Sequence, residues 1–331
     1  MTIRERLNSI ADERIIILDG AMGSVIQVLN IDEKSCRGSR FAGHPNPLLG
    51  CYDVLCLTRP GAIGAIHNTY LEAGADIIET CSFNSTSISL SDYGIGHLSY
   101  EISKTAAQIA RNCADNYSTG EKPRFVAGCI GPTSKGASLN PDTVPGKYSN
   151  YRDELEVAYY ENAKGLLDGG ADIFLVETIY DILNADAALT AIKKLLDDKN
   201  IDIPIIISAA ISCELGQLQC GHSLETFVNS VLHANPWAIG INCSFNAAKL
   251  LPHVCFLSGI VPCNVIAYPN AGLPNKYGRY EETPELMASN IEPYLKQGYV
   301  NIIGGCCGTT PAHIAAIAKK VKRYTPRKYQ K

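Results

Sequence analysis

The 331-residue sequence has no apolar run approaching the roughly 20 residues that a membrane-spanning helix needs. Its first residues carry Arg4, Glu5 and Arg6 and lead into no long apolar stretch, so the N-terminus does not read as a signal peptide. Neither sign of charge dominates: 29 Lys and Arg against 33 Asp and Glu give a net charge of −4. So mild a balance gives no reason to expect nucleic acid or an anionic membrane surface as the main partner. Linker-like and low-complexity stretches are missing as well, and the composition is neither disordered nor fibrous. One large domain or two small ones remain, with the cytoplasm as the expected compartment.

Cysteine, by contrast, is plentiful. The chain has 13, an odd number, and is too long to need disulfide staples. In a reducing compartment most of them read as small buried hydrophobes, and a few as metal ligands or nucleophiles. Cys36, Cys51, Cys56, Cys113, Cys129, Cys220, Cys255 and Cys263 have no partner at CxxC spacing and fall in the first group. Cys81 and Cys213 stand at the ends of apolar runs and are candidates to line a pocket or to stand in for a ligand.

Eight short apolar runs recur along the chain, at 14–19, 76–80, 124–131, 172–178, 204–211, 238–243, 262–268 and 301–305. Each is apolar throughout instead of alternating, as a parallel strand covered on both faces is. Between them lie stretches with helical spacing, at 63–73, 99–116, 151–167, 182–197, 223–234, 247–258, 284–297 and 311–324. Thr283-Pro284 and Thr310-Pro311 place a capping side chain before a proline at the first helical position. The repeated phrase Gly-Ala-Asp, at 74–76 and 170–172, marks a helix end running into a strand. Eight strand–helix units with a leading helix at 3–12 predict an α/β fold, a single-domain (β/α)8 TIM barrel. An open doubly wound sheet is the alternative, but the first turn, Asp19-Gly20-Ala21-Met22-Gly23, lacks the GxGxxG pattern that would favour it. The long connections 81–97 and 132–150 are rich in Ser, Gly, Pro and Asn and are expected to be mobile loops over the catalytic face.

In such a barrel the chemistry sits at the C-terminal ends of the strands. Those ends carry Asp19, Glu79-Thr80-Cys81, Glu177-Thr178, Asn242-Cys243, Asn270 and Cys306-Cys307. Three cysteines on strands six and eight could converge on one point and suit a tetrahedral Zn²⁺ with one position left open. Adjacent cysteines share a metal only if the strand breaks into a turn there, which Gly304, Gly305 and Gly308 permit. A vicinal disulfide, or one core thiol beside one loop thiol, would fit the same residues. Asp19 and Glu177 could bind a substrate ammonium or serve as caps and ion-pair partners, and Glu79 as an internal ion-pair partner. His67, His222, His233, His253 and His313 fall in or beside helices and read as packing or surface residues.

These residues also carry a resemblance. LDGAMGSVIQ (18–27), HNTYLEAGADIIETCSFNST (67–86), INCSFN (241–246), YPNAGLPNKYG (268–278) and IGGCCGTTPAHI (303–314) resemble the homocysteine-binding barrel of cobalamin-dependent methionine synthase, within the homocysteine S-methyltransferase family. The resemblance implies Zn²⁺ held by Cys243, Cys306 and Cys307. It implies that Asp19 and Glu177 hold the homocysteine amino group, that Ala21, Met22, Gly23, Thr80 and Phe83 form the pocket, and that Asn242 supports it. The zinc would hold the homocysteine sulfur as a thiolate, and methylcobalamin would supply the methyl group that gives methionine. Betaine and S-methylmethionine are the donors used by other branches of the family. Cys81 departs from the pattern, since this branch commonly has Asn after Glu-Thr. The sequence ends at Lys331 with no second barrel and no cobalamin-binding stretch. It is therefore expected to be either a module of a larger enzyme or a short enzyme served by a corrinoid-carrying domain or protein in trans.

Overall fold

The computed structural model describes residues 1–137, 148–212 and 214–329. Eight parallel strands form one sheet: β1 (Ile16–Ile17), β2 (Ile77–Glu79), β3 (Phe125–Ile130), β4 (Ile173–Ile179), β5 (Ile205–Ala209), β6 (Ala238–Asn246), β7 (Asn264–Asn270) and β8 (Ile302–Ile303). Neighbours in the sheet are neighbours in sequence, with β1 against β8. The last seam, between β1 and β2, is closed by a parallel bridge from Leu18 to Ile77. Asp76 reinforces it, accepting from the Ile17 N–H at 2.9 Å and from the Arg14 guanidinium at 2.6 Å. The result is the (β/α)8 barrel that the alternation predicts.

The pleat sorts the strand residues into two buried sets. Ile15, Ile17, Ile78, Val126, Phe174, Val176, Ile207, Ile239, Ile241, Val265 and Ile303 face outward into one core with the helices. Ile16, Leu18, Ile77, Phe125, Ala127, Ile173, Leu175, Ile206, Ala238, Ile266 and Ile302 face inward and fill the barrel. The leading helix, Ile3–Glu13, lays Leu7 and Ala11 against this inner set and plugs its lower end. Arg327 fastens the same end, donating to the carbonyls of Ser258, Val261 and Cys263. Continued upward, the inward parity of each strand reaches Glu79, Cys129, Glu177, Ser208, Asn242, Tyr268 and Asn270. All seven are thus on the inner face at the end where catalytic groups lie in such barrels.

Residues 81–97, expected to be a mobile loop, are instead tied down. The Ser82 hydroxyl donates to the Cys129 carbonyl at 2.7 Å, Asn84 N–H to Asp53 at 2.7 Å, and Ser99 to the Ser85 carbonyl at 2.6 Å. Thr86 caps a short helix, Ser87–Ser91. The serines that suggested looseness satisfy the backbone locally, as Ser and Thr do in turns and caps. In the other long connection, 138–147 lie outside the described residues, so the expectation for 132–150 falls largely there.

Candidate active site

Two strand ends break regular geometry to bring sulfur together. At the end of β6, Cys243 and Ser244 both adopt left-handed backbone, with φ of 51° and 62°. After β8, the chain folds into a turn in which Thr309 N–H donates to the Cys306 carbonyl at 3.0 Å. Gly308 closes that turn at φ 80°, and the Tyr280 ring occupies the space where a Cβ would stand. Glycine is therefore required at 308 on both counts. Main-chain bonds from Cys306 N–H to Pro269 (2.8 Å) and from Ala271 N–H to Cys307 (2.9 Å) anchor the turn to β7.

The outcome is a cluster in which the sulfurs of Cys243, Cys306 and Cys307 all lie within 4.8 Å of one another. Cys243 and Cys307 are 3.7 Å apart. All three thiols are free, so the vicinal disulfide does not form. Four ligands on a tetrahedron of Zn–S bonds would stand about 3.8 Å apart, and the donor set is the soft one that zinc favours. Hydrogen bonds from Cys243, then from Cys306, push the Cys307 thiol down to about 3. The reciprocal bonds, together with burial, push Cys306 up.

Beside the sulfurs lies an acidic group. Ligand atoms of Glu79, Cys129 and Glu177 fall within 4.8 Å of one another, and the Cys129 thiol donates to Glu177 at 2.9 Å. Asp19 accepts from the Glu79 N–H at 3.0 Å, and its other oxygen is buried without a partner. Burial raises all three carboxyl groups, Glu177 to about 7, and their mutual repulsion adds to the effect at Asp19 and Glu79. The negative charge of Cys307 also contributes at Glu177, so the two groups sense one another.

A cavity of about 240 Å³ joins the two clusters. That is below the roughly 300–1,000 Å³ of sites for drug-sized molecules and suits an amino-acid-sized ligand. Ala21, Met22, Gly23, Thr80, Phe83, Glu177 and the three cysteines line it, together with Glu79, Cys129, Asp53 and Tyr268. Among the described residues, no Lys, Arg or His lines it. Asp19 is not among the lining residues, but its chain neighbour Gly20 is, and so is Glu79, whose N–H it accepts. Asn242 does not line the cavity: it is fully buried behind it. Its amide donates to Thr178 Oγ1 at 2.8 Å and to Cys306 Sγ at 3.8 Å, and its oxygen accepts from Ser208 at 2.8 Å and from the Thr178 N–H at 3.1 Å. It is therefore a brace between β4, β5, β6 and the sulfur cluster.

The Thr80 hydroxyl is engaged by Ser82 and by the Cys129 N–H, so it faces the cavity already bonded. Cys81 lines the cavity with its sulfur 3.7 Å from the Tyr52 carbonyl and is not part of the group that the other three form. Cys213 lies outside the described residues. Sequence reasoning set Cys129 among the incidental cysteines and overlooked Tyr268; the inward parity of β3 and β7 was the signal for both. His313 is a packing residue, as expected, with a defined task. Its ring bonds Thr310 at the start of the last helix and the Glu282 carbonyl, joining that helix to the loop after β7.

A (β/α)8 barrel with a thiol cluster and an acidic cavity at the carboxyl ends of its strands has the layout of a TIM-barrel enzyme. The model of the homocysteine S-methyltransferase family matches residues 16–321, and the chain belongs to that family, whose members are methyltransferases. Among solved structures, the chain is similar to the oxidized form of the homocysteine methyltransferase MmuM from Escherichia coli. They share 22% identity over 92% of this chain and 96% of that one, with a TM-score of 0.72. The metallated form of the same Escherichia coli protein matches at 21% identity over 95% and 98% of the two chains, again with a TM-score of 0.72. At this identity the likeness speaks for the fold.

Proposed function

We propose that the chain is a zinc-dependent homocysteine S-methyltransferase that forms methionine, with methylcobalamin as the methyl donor. The observation that carries this reading is the placing of three converging thiols beside the carboxyl groups of Glu79 and Glu177 in one small cavity, with Asp19 bonded to Glu79 next to it and no basic side chain among the described lining residues. An uncompensated acidic cavity of this kind favours a cationic ligand. A ligand with an ammonium at one end and a sulfur at the other fits both halves.

Cys243, Cys306 and Cys307 would hold the zinc. When bound, the ion supplies Lewis-acid activation, keeping a thiol deprotonated at neutral pH where it is otherwise largely protonated. The remaining work belongs to the chain. Glu177, Glu79 and Asp19 take the substrate ammonium, whose charge replaces the proton that burial would otherwise impose on them. Cys129 holds the Glu177 carboxylate by its hydrogen bond, and Asn242 keeps the corner at Thr178 in place beside the sulfurs. Met22, Phe83 and Tyr268 exclude water from the reacting end. Fixing both ends of a short amino acid aims its sulfur at the open side of the barrel, where a methyl donor approaches.

No helix among the described residues is long and apolar enough to cross a membrane. We place the protein in the cytoplasm, where reduced thiols persist. Residues 1–331 would act as one homocysteine-binding barrel, with 325–331 as its tail, and a corrinoid-carrying domain or protein would present the methyl group in trans. The test is methionine formation from homocysteine with methylcobalamin, betaine and S-methylmethionine assayed side by side. Turnover with methylcobalamin, abolished in Cys306→Ala, is expected. Turnover with betaine or S-methylmethionine instead would replace the donor. Zinc and homocysteine binding without turnover from any donor would make the chain a carrier.

A further inference from the structure

Residues with side chains turn left-handed at two strand ends of the site: Thr178 (φ 56°) after Glu177, and the pair Cys243 and Ser244. Such corners persist only where the surroundings hold them, and they concentrate where position matters. At Cys243 the hold is visible. The Ser244 hydroxyl donates back to the Asn242 carbonyl at 2.9 Å and accepts from the Ile211 N–H at 2.8 Å. The first bond closes a short ring around Cys243. The second ties that ring to the chain leaving β5. The pairing of β6 with β7 slips at the same place, from Cys243 opposite Pro269 to Asn246 opposite Asn270. Asn246 then caps the helix Ala247–Ile260, accepting from Lys249 N–H at 3.1 Å. The segment is thus fixed at both ends, and the direction of the Cys243 sulfur is decided by the corner between them.

We propose that Ser244 is a positioning residue for the metal. Its hydroxyl clips the left-handed corner that aims Cys243 toward Cys306 and Cys307, without itself reaching the sulfurs' centre. This rests on the reading of the three cysteines as zinc ligands. Residues that orient metal ligands in this indirect way commonly change metal affinity by roughly 10–100-fold when altered.

Ser244→Ala removes the clip. Ser244→Gly removes it too, while making the left-handed backbone easier to adopt. Ser244→Thr keeps the hydroxyl in a conformation that this protein already gives to a threonine at 178. Zinc affinity is measured by competition with a chromophoric chelator, and thermal unfolding is followed in parallel. Ser244→Ala and Ser244→Gly are expected to bind zinc about 10–100-fold more weakly, and Ser244→Thr to stay within a few-fold of the unaltered chain. Wild-type affinity in Ser244→Gly would show that only backbone freedom matters and would overturn the proposal, even if Ser244→Ala failed to fold. Equal weakening in Ser244→Thr and Ser244→Gly would overturn it as well. An unaltered chain that takes up no zinc would overturn the metal reading together with this one.

Discussion

Replacing Glu177 by glutamine separates what the acidic cavity costs the fold from what it gives the substrate. The Glu177 carboxyl is raised from an ordinary 4.5 to about 7, first by burial. A group raised in the folded state stabilises the fold fully below its unfolded value, and that contribution is lost as pH climbs through the folded value. The window here is therefore about pH 4.5 to 7, and the 2.5 units across it correspond to about 3 kcal/mol. Glutamine is isosteric and never ionises. Its carbonyl can still accept from Cys129, but its amide group faces the Asn242 amide donor, a mismatch worth about 1 kcal/mol. Without homocysteine, Glu177→Gln should therefore be more stable than the unaltered chain by about 2 kcal/mol at pH 8. At pH 4.5 it should be less stable by about 1 kcal/mol. Urea unfolding at the two pH values reads this crossing directly. Loss of a charged partner for the substrate ammonium should raise the homocysteine KM roughly 10–100-fold. Stability curves that stay parallel from pH 4.5 to 8, or an unchanged KM, would refute the reasoning.

Three further expectations follow from single contacts. Cys129→Ala removes the donor that holds the Glu177 carboxylate down, so the pH midpoint for homocysteine binding should move upward in a KM–pH profile. Gly308→Ala places a Cβ against the Tyr280 ring at φ 80°; it should cost about 1–3 kcal/mol of stability in urea unfolding and weaken zinc binding with it. Arg327→Ala breaks the bonds that fasten the lower end of the barrel; a loss of about 2–3 kcal/mol is expected in the same assay, with zinc affinity in a chelator competition unchanged.

Much of this architecture is legible in the residues because each layer has its own physical signature. Runs such as Asp172–Thr178 are apolar on both faces since helices cover one side and the barrel interior the other. Strand-end placement alone picks out Asp19, Glu177, Cys243, Cys306 and Cys307, and the geometry brings these into one region. Cys129 and Tyr268 were hidden because an apolar strand does not announce which of its residues points inward. That parity is set by closure of the barrel and the Leu18–Ile77 seam, which depend on contacts far apart in sequence. The two-residue corner at Cys243 and Ser244 was equally hidden: neither residue type prefers left-handed backbone, and only the bonds to Asn242 and Ile211 explain it. The serine-rich stretch 81–97 misled in the other direction, since serine hydroxyls serve packed turns as well as loose loops.

The most direct measurement is X-ray absorption at the zinc edge on the chain purified with its metal, together with its zinc content. The account predicts about one zinc per chain surrounded by three sulfur neighbours at about 2.3 Å, and a sharp fall in zinc content in Cys243→Ser. A chain without zinc, or zinc surrounded by nitrogen and oxygen alone, would contradict it.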